Sequence, residues 1–375
     1  MINHKDRDHA LLSASSSNRW LACPPSAVAN EAYPNQDTSF TQEGTIAHEV
    51  AEIIARCGDI NLEEAKPGTN REMVECAKAY RDYIEEQKKS NDATVLLEQR
   101  VDFSEWVPEG FGTCDCIIVQ DDTLTIIDYK YGQGVMVSAE NNSQLKLYAL
   151  GAMHDYGDLL GVTKVEMHIF QPRLNNISVD SMTVEELMKW ATKTVKPTAE
   201  KAIKGKGKYS PGEHCRFCQH AGRCRTLTRV CTEYITTHGM RVGLPVLAPH
   251  EIADILRMEA LISLWLKKVK EQALATLMNG EELPGYKLVE GKLGNRKWTD
   301  EQAVIAKLNP IYYPEQYTET RLLSPSQMDR ALGKKKVAEL LEDLIERAPG
   351  APTIAPVTDK RPAYNRLAEA QEDFK

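Results

Sequence analysis

Phe111-Gly-Thr-Cys-Asp-Cys-Ile-Ile-Val119 and Thr123-Leu-Thr-Ile-Ile-Asp-Tyr-Lys130 are two short hydrophobic segments, separated by a Gln-Asp-Asp turn. β-Branched and apolar residues dominate both, which is typical of strands, and the polar turn permits antiparallel pairing. The two segments therefore predict one β-hairpin, and the rest of the fold is interpreted around it.

Side-chain alternation along these strands predicts which charged residues meet. Asp128 and Lys130 are two residues apart and share a face, whereas Cys114 and Cys116 flank Asp115 and are expected to point away from it. Two neighbouring carboxylates repel unless a cation lies between them, and a hard divalent ion suits oxygen ligands. With a lysine for a phosphate, this set suits phosphodiester cleavage. The alternative is a strand-end carboxylate and a solvated edge pair, because Asp-x-Lys is a weak motif.

Composition and charge are ordinary for a soluble protein. A chain of 375 residues with 42% hydrophobic content can bury one large core or two smaller ones. The formal net charge of -8 argues weakly against a nucleic-acid partner, although a nuclease needs only a local basic groove. No apolar run approaches a membrane span, and the N-terminus lacks a signal-peptide core, so a cytoplasmic protein is expected.

The order of elements predicts an α/β fold with a central mixed sheet flanked by helices. Thr94 to Phe103 should form a strand beside the hairpin, and Glu98 in its middle is either outward-facing or part of the site. Helical periodicity places His48 on a helix over 43–56 and both Gln144 and Tyr148 on a helix over 141–156. The other predicted elements are helices over 15–25, 71–89 and 184–203 and strands over 164–171 and 177–182.

Cys215, Cys218 and Cys224 form a C-x2-C-x5-C array, a spacing typical of metal sites that supplies only three thiolates. Cys23 is the first choice for the fourth ligand. Cys231, His214 and His220 compete with it, the histidines only if the metal is Zn2+. Spacing alone leaves zinc and an iron-sulfur cluster open. The four remaining cysteines are expected to be buried thiols: Cys57, Cys76, Cys114 and Cys116.

The C-terminal part differs in character. Residues 1–235 are predicted to form the core domain, 236–346 a mainly helical region with a small hairpin near residues 286–298, and 347–375 a loosely ordered tail. Four lysines before the cysteine array are either a phosphate-binding loop or a solvated linker: Lys201, Lys204, Lys206 and Lys208.

Taken in order, the motifs resemble the RecB-like branch of the PD-(D/E)XK nucleases. The residues that carry the resemblance are Cys23, Gly44-Thr-x-x-His48, Glu98, Gly112-x-x-Asp115, Asp128-x-Lys130, Gln144-x-x-x-Tyr148 and the three-cysteine array. The cysteines resemble the iron-staple subset found in AddB-type helicase-nucleases and CRISPR adaptation nucleases. The whole chain also looks like a phage and prophage protein family of unassigned function. The motifs cover about the first 230 residues.

This resemblance implies a restriction-endonuclease-like core and a metal-dependent DNA nuclease, expected to be a phage-type exonuclease in recombination or processing. His48, Asp115, Asp128 and the backbone carbonyl of Tyr129 would hold Mg2+ or Mn2+, and Lys130 would orient water and offset charge at phosphorus. Gln144 and Tyr148 would hold the DNA backbone or the ligands, with Glu98 a less certain site member. Asp128 stands where the motif commonly has Glu.

The resemblance also implies a [4Fe-4S] cluster, or alternatively Zn2+, on Cys23, Cys215, Cys218 and Cys224. DNA is the implied partner, and a phage single-strand-binding or annealing protein is a candidate protein partner. The alternative function is a non-catalytic DNA-binding or scaffold protein that retains the nuclease fold. The presence of His48 together with Asp115, Asp128 and Lys130 favours activity, because a decayed site tends to lose one of them.

Overall fold

The predicted hairpin is the centre of the sheet. Strand β2 (Phe111–Gln120) and strand β3 (Thr123–Tyr129) pair antiparallel, and Gln120 stands opposite Thr123 at the turn. Every residue of β3 is buried, as expected for a strand covered on both faces. The hairpin prediction is confirmed.

The computed structural model describes residues 10–33, 39–60, 65–90, 92–157, 161–239, 249–287 and 289, with shorter pieces at 305–307, 328, 333–341 and 344–345. The chain divides into two compact units, Met1–Val289 and Glu290–Lys375. The second unit contains helix α10 (Lys334–Leu341), in the region predicted to be mainly helical. Most of the predicted small hairpin and the whole predicted tail lie outside the described residues, and the predicted domain boundaries remain predictions.

Five strands in the described residues form one sheet, in the order β1-β2-β3-β4-β5. The outer members are β1 (Thr94–Asp102), β4 (Lys164–Gln171) and β5 (Asn176–Thr183). β3 and β4 run parallel, and the other neighbours are antiparallel. The α/β fold with a mixed sheet, flanked by helices and followed by a helical C-terminal region, is therefore confirmed.

Helices cover both faces of this sheet. In chain order they are α1 (Ser17–Ala22), α2 (Ser26–Glu31), α3 (Ser39–Cys57), α4 (Arg71–Gln87), α5 (Ser143–Ala152), α6 (Val184–Trp190), α7 (Lys196–Ala202), α8 (Arg225–Gly239) and α9 (Pro249–Met278). None of the helices in the described residues is both long and apolar enough to cross a membrane.

Two hydrophobic cores separate the helices from the sheet. In the first core, apolar residues of β2, β3 and β4 pack with α1, α5, α6 and α7. The second core joins α3 and α4 to the other face, through residues such as Val50, Ile54 and Ile127. The site residues predicted on α3 and α5 therefore approach the hairpin from opposite faces.

Two predicted helices are interrupted by π-helical turns. α5 ends in the turn Met153–Gly157, and the predicted helix over 184–203 is divided into α6 and α7 by the turn Ala191–Val195. Helix α3 also begins at Ser39, earlier than the periodicity indicates. The spacing of apolar residues locates the buried face of a helix. A π-helical turn adds one residue and changes that spacing little, so the sequence pattern does not reveal it.

The first and last parts of the core domain meet at α1. Ser17 is buried, and its Oγ lies 2.6 Å from Ser143 Oγ at the start of α5. The backbone N–H of Cys23 closes α1 by donating to the Arg19 carbonyl at 2.9 Å. α9 packs on the cysteine segment, where Trp265 Nε1 donates to Thr228 Oγ1 at 3.2 Å. A helix from the beginning and a helix from the end of the described part of the first unit thus lie beside the cysteines.

Gly151 permits α5 to lie close to the edge strand β1, because a Cβ at this position would be 2.8 Å from Val101 Cβ. We expect Gly151→Ala to lower the free energy of unfolding by about 1–3 kcal/mol, since a packed core resists added volume. Urea denaturation measures this. Gly134→Ala is the matched control, because nothing lies within 4 Å of its Cβ position, and it should stay within about 0.5 kcal/mol. Equal stability of the two variants would show that α5 is free to move.

Candidate metal centres

Three carboxylates form a row across three neighbouring strands. The pairs Leu97–Cys116 and Gln99–Cys114 on either side place Glu98 opposite Asp115. One step beyond the Cys116–Ile127 pair, the same register places Asp128 opposite Asp115. The row is therefore a direct product of strand register, and Glu98 belongs to it.

The backbone is irregular where this row crosses β1 and β2. Glu98 has φ 48°, in the left-handed region that non-glycine residues rarely adopt. Cys114 packs in the first core and Cys116 in the second, so they do not share a face and the predicted alternation is wrong here. Such deviations cost free energy and are concentrated at functional sites.

His48, Glu98 and Asp115 form the first group at the site. Each offers one ligand atom, and the three atoms lie within 4.8 Å of one another. His48 Nδ1 is 3.5 Å from Asp115 Oδ1, and its ring stands edge-on to the Tyr129 ring. α3 positions His48 because neighbouring residues, including Ala47 and Val50, are buried in the second core.

Asp128, Lys130, Gln144 and Tyr148 form the second group. Lys130 Nζ lies 2.9 Å from Asp128 Oδ2, and Gln144 Nε2 donates to Asp128 Oδ1 at 3.2 Å and to the Tyr148 hydroxyl at 3.1 Å. Lys130 Nζ also donates to Gln144 Oε1 at 3.3 Å. The structure thus brings together all four residues that the sequence predicts here.

Asp115 connects the two groups. Its Oδ2 accepts a hydrogen bond from the backbone N–H of Tyr129 at 2.7 Å, while its Oδ1 faces His48. This contact places the Tyr129 main chain beside the carboxylates. The predicted roles of the Tyr129 carbonyl and of Asp128 as metal ligands remain predictions, since Asp128 faces Lys130 and Gln144.

Burial and mutual repulsion determine the protonation of the carboxylates. Burial raises the pKa of Glu98, and the neighbouring Asp115 raises it further, to about 7. Burial also raises the pKa of Asp128, against the opposing effect of Lys130. The pKa of Asp115 is lowered, because the charges of His48 and Lys130 and the hydrogen bonds that it accepts outweigh its burial. The row therefore carries more negative charge than it can readily hold without a cation.

The two bases respond in the opposite sense. Burial lowers the pKa of His48, but Asp115 and Asp128 outweigh burial and raise this pKa to about 9. Burial lowers the pKa of Lys130 too, and Asp128 and Asp115 again raise it above its usual value. Lys130 is therefore a positive charge at neutral pH, within reach of solvent.

The donor set of the first group fits a divalent cation. Two carboxylates and one imidazole offer the oxygen and nitrogen ligands used by Mg2+ and Mn2+ sites. One oxygen of Asp128, which is only 2% exposed, has no hydrogen-bond donor, because its contact with Lys130 has the distance of an ion pair without hydrogen-bond geometry. The Lys130 ammonium already stabilises that oxygen, so the fit to a divalent cation rests on the His48, Glu98 and Asp115 ligand atoms.

All four predicted cysteine ligands line one cavity. Cys23 follows α1, and Cys215, Cys218 and Cys224 lie at two short 3-10 turns, Glu213–Phe217 and Gln219–Arg223. His214 and His220 also line the cavity, so both remain alternatives as zinc ligands. Cys231 is buried beside α9 and does not line it. Burial raises the pKa of the Cys218 thiol to about 11, although Arg19 opposes this.

The cysteine sulfurs of the described residues do not already form a tetrahedral single-ion cage. Among the residues described, no three cysteine sulfurs all lie within 4.8 Å of one another. Tetrahedral Zn2+ with bonds of about 2.3 Å would hold its sulfurs roughly 3.8 Å apart. A [4Fe-4S] cube is larger and separates its four thiolates further. The four thiols thus line one cavity without a preformed ion-sized cage, and the choice between zinc and a cluster stays a prediction.

The other cysteines are only in part as predicted. Cys114 and Cys116 are buried, as expected, but Cys57 is exposed and Cys76 is half-buried. Cys57 is the last residue of α3, and Cys76 lies within α4. Both helices have an exposed face, so a thiol on them does not have to reach the core.

Arg19 is a residue of this region that the motifs do not reveal. Its side chain is buried on α1, and its guanidinium donates to the carbonyl and hydroxyl oxygens of Ser26, which lines the cysteine cavity. The one signal in the sequence is that Arg19 precedes Cys23 by four residues, the spacing of neighbours on a helix face.

The fold and these side chains define an α/β protein with a His, Glu and Asp group on its mixed sheet that could hold a metal ion, and with a cavity lined by four cysteines. The sequence model of the DUF2800 family, described as a protein of unknown function, matches residues 9–362. The chain belongs to this family.

We expect Glu98→Gln to weaken Mn2+ binding at least about tenfold, because it removes the charge of one of the three ligands. Loss of a residue that only hydrogen-bonds to a metal ligand already lowers metal affinity by this factor. Isothermal titration calorimetry measures the affinity. Glu140→Gln, the same change at an exposed residue, is the matched control and should bind Mn2+ as the parent chain does. Equal Mn2+ affinities for Glu98→Gln and its control would show that Glu98 does not bind the ion.

Proposed function

We propose that this chain is a metal-dependent nuclease that hydrolyses phosphodiester bonds in DNA. The observation that carries the proposal is that a cation-binding group and a lysine-carboxylate pair share one carboxylate row. His48, Glu98 and Asp115 are on one side, and Asp128 with Lys130 is on the other. The resemblance to PD-(D/E)XK nucleases supports the same reaction, because its motif residues are the ones that meet here.

The reaction is hydrolysis. The oxygen of water forms a bond to phosphorus, the bond from phosphorus to the leaving oxygen breaks, and the protons of water end on the two products. A divalent cation at the carboxylate row would supply positive charge to the phosphate and lower the pKa of a water molecule. Everything else must come from side chains of the chain itself.

Lys130 stabilises the charge that develops on phosphorus-bound oxygens. Its raised pKa keeps it protonated, and its partial exposure leaves Nζ accessible to a phosphate. Fixed charges aimed at developing charge are among the largest contributions to catalysis. Gln144 holds both Lys130 and Asp128 by its amide, and Tyr148 in turn fixes Gln144. α5 thus holds the lysine in the orientation that the reaction needs.

A basic loop offers phosphate contacts to an otherwise acidic chain. Lys201, Lys204, Lys206 and Lys208 are exposed, and none forms an ion pair with a described carboxylate. Gly205 and Gly207 adopt left-handed backbone conformations, and their Cβ positions would lie 3.3 Å from Val28 Cβ and 3.2 Å from Pro24 Cβ. The loop is therefore held against the segment around Cys23.

We expect Asp128→Asn and Lys130→Gln each to lower DNA hydrolysis at least about 100-fold, since removing one group that stabilises the transition state has an effect of this size. The assay follows degradation of linear DNA with Mg2+ or Mn2+. Asp121→Asn is the matched control: it makes the same change at an exposed turn of the same hairpin. If the parent chain binds DNA without cleaving it, and the two variants lose that binding, the result would favour a DNA-binding protein that retains the nuclease fold.

End-labelled linear DNA and closed circles distinguish the mode of cleavage in the same assay. The proposed exonuclease degrades the linear substrates from their ends and spares the circles. Nicked or linearised circles would instead identify an endonuclease.

We also propose that the four cysteines hold a structural [4Fe-4S] cluster. Linking residue 23 to residues 215–224 closes a long loop, which by analogy with long disulfide loops contributes on the order of several kcal/mol. The cavity lined by all four cysteines supports the cluster, and a zinc site is the alternative.

Anaerobically purified protein should therefore be brown, with four irons per chain by metal analysis, as expected of a cube with four thiolate ligands. Cys218→Ser should lose the iron, whereas Cys57→Ser, at an exposed cysteine outside the cavity, should retain it. Colourless protein that contains one zinc ion per chain would show that the four cysteines hold zinc and not a cluster.

A further inference from the structure

Arg19 is a buried positive charge without a carboxylate partner. Its side chain is only 8% exposed, and no Asp or Glu in the described part of the chain forms an ion pair with it. Its two hydrogen bonds go to neutral oxygens of Ser26, at 2.6 Å to the carbonyl and 3.3 Å to the hydroxyl. A buried charge that is not paired costs several kcal/mol in real proteins, so a compensating negative charge is expected nearby.

The geometry around Arg19 points to the cysteine cavity. Cys23 is four residues further along, and its N–H donates to the Arg19 carbonyl, so both side chains lie at the same end of α1. Ser26, which holds the guanidinium, lines the cavity with Cys23 and Cys218. Burial lowers the pKa of Arg19, and Cys218 and Cys23 are the charges near enough to oppose that effect.

A metal centre in this cavity would carry the missing charge. Metal binding requires deprotonated cysteines, so four thiols become four thiolates. Their four negative charges exceed the two positive charges of Zn2+ or of an oxidised [4Fe-4S] core. The centre as a whole is then an anion, and Arg19 is a buried cation whose hydrogen-bond acceptor Ser26 lines the same cavity.

We propose that Arg19 is the counter-ion of the four-cysteine centre: its guanidinium, held by Ser26, stabilises the net negative charge that the thiolate ligands bring into the protein. This inference rests on the proposed metal centre but not on the proposed nuclease reaction. Arg19 is a positioning residue for the centre and has no contact with the carboxylate row.

Reduction of an iron-sulfur cluster adds negative charge, so a buried cation beside it favours the reduced form. Arg19→Gln should therefore shift the ratio of reduced to oxidised cluster at least tenfold toward the oxidised form at a fixed potential. For one electron this corresponds to 59 mV. Redox titration of the loaded protein, followed by absorbance, measures the shift.

The matched control is Arg216→Gln, because Arg216 lies between Cys215 and Cys218 but is exposed, and water and salt screen its charge. We expect a shift clearly smaller than that of Arg19→Gln, and Arg19→Lys should resemble the parent chain. If the parent chain holds zinc, competition with a chelator replaces the titration, and Arg19→Gln should release the ion at least tenfold more readily.

The outcomes separate the two proposals. A loaded Arg19→Gln protein with an unchanged potential, or unchanged zinc affinity, overturns the role of Arg19 and leaves the metal centre in place. A parent chain without iron or zinc at these cysteines overturns the centre and the counter-ion together. Should Arg19→Gln not fold, a folded and loaded Arg19→Lys supports the role of charge, whereas failure of both variants assigns Arg19 to packing and rejects the proposal.

Discussion

Repulsion within a row of three carboxylates is the constraint on which the site depends. Strand register fixes Glu98, Asp115 and Asp128 side by side, and burial removes the water that would screen their charges. Side chains from both faces of the sheet offset this repulsion. α3 brings His48 to Asp115, and α5 brings Gln144 to Asp128 and Lys130. A mixed sheet covered on both sides is what allows one row of side chains to receive partners from two helices.

Periodicity predicted much of this arrangement. Alternation in two short strands was enough to group Asp115 with Asp128 and Lys130, and helical spacing placed Gln144 and Tyr148 on one face of α5. These successes share a cause, because register and helix pitch act over a few residues and are written directly in the sequence. The α/β class follows from the same local patterns, taken in chain order.

The features that sequence could not predict depend on tertiary packing. The left-handed backbone of Glu98 and the break in alternation between Cys114 and Cys116 leave no mark on composition. Arg19 is buried on α1, and this helix packs against the turn Glu213–Phe217, nearly two hundred positions later in the chain. Cys57 was predicted to be buried because cysteine is a residue type common in protein cores. Its position at the end of α3 leaves it exposed.

The contacts of α1 have a consequence for the order in which the chain acquires its structure during synthesis. α1 rests on α5 through Ser17 and Ser143, and its last turn faces a cavity whose other walls come from residues 209–224. The ribosome makes α1 about two hundred residues before those walls. Docking so distant in sequence is slow to nucleate, because loop closure comes before the contacts that reward it. α1 therefore leaves the ribosome well before the residues that complete its surroundings, and its packing is finished only when the cysteine segment has also emerged.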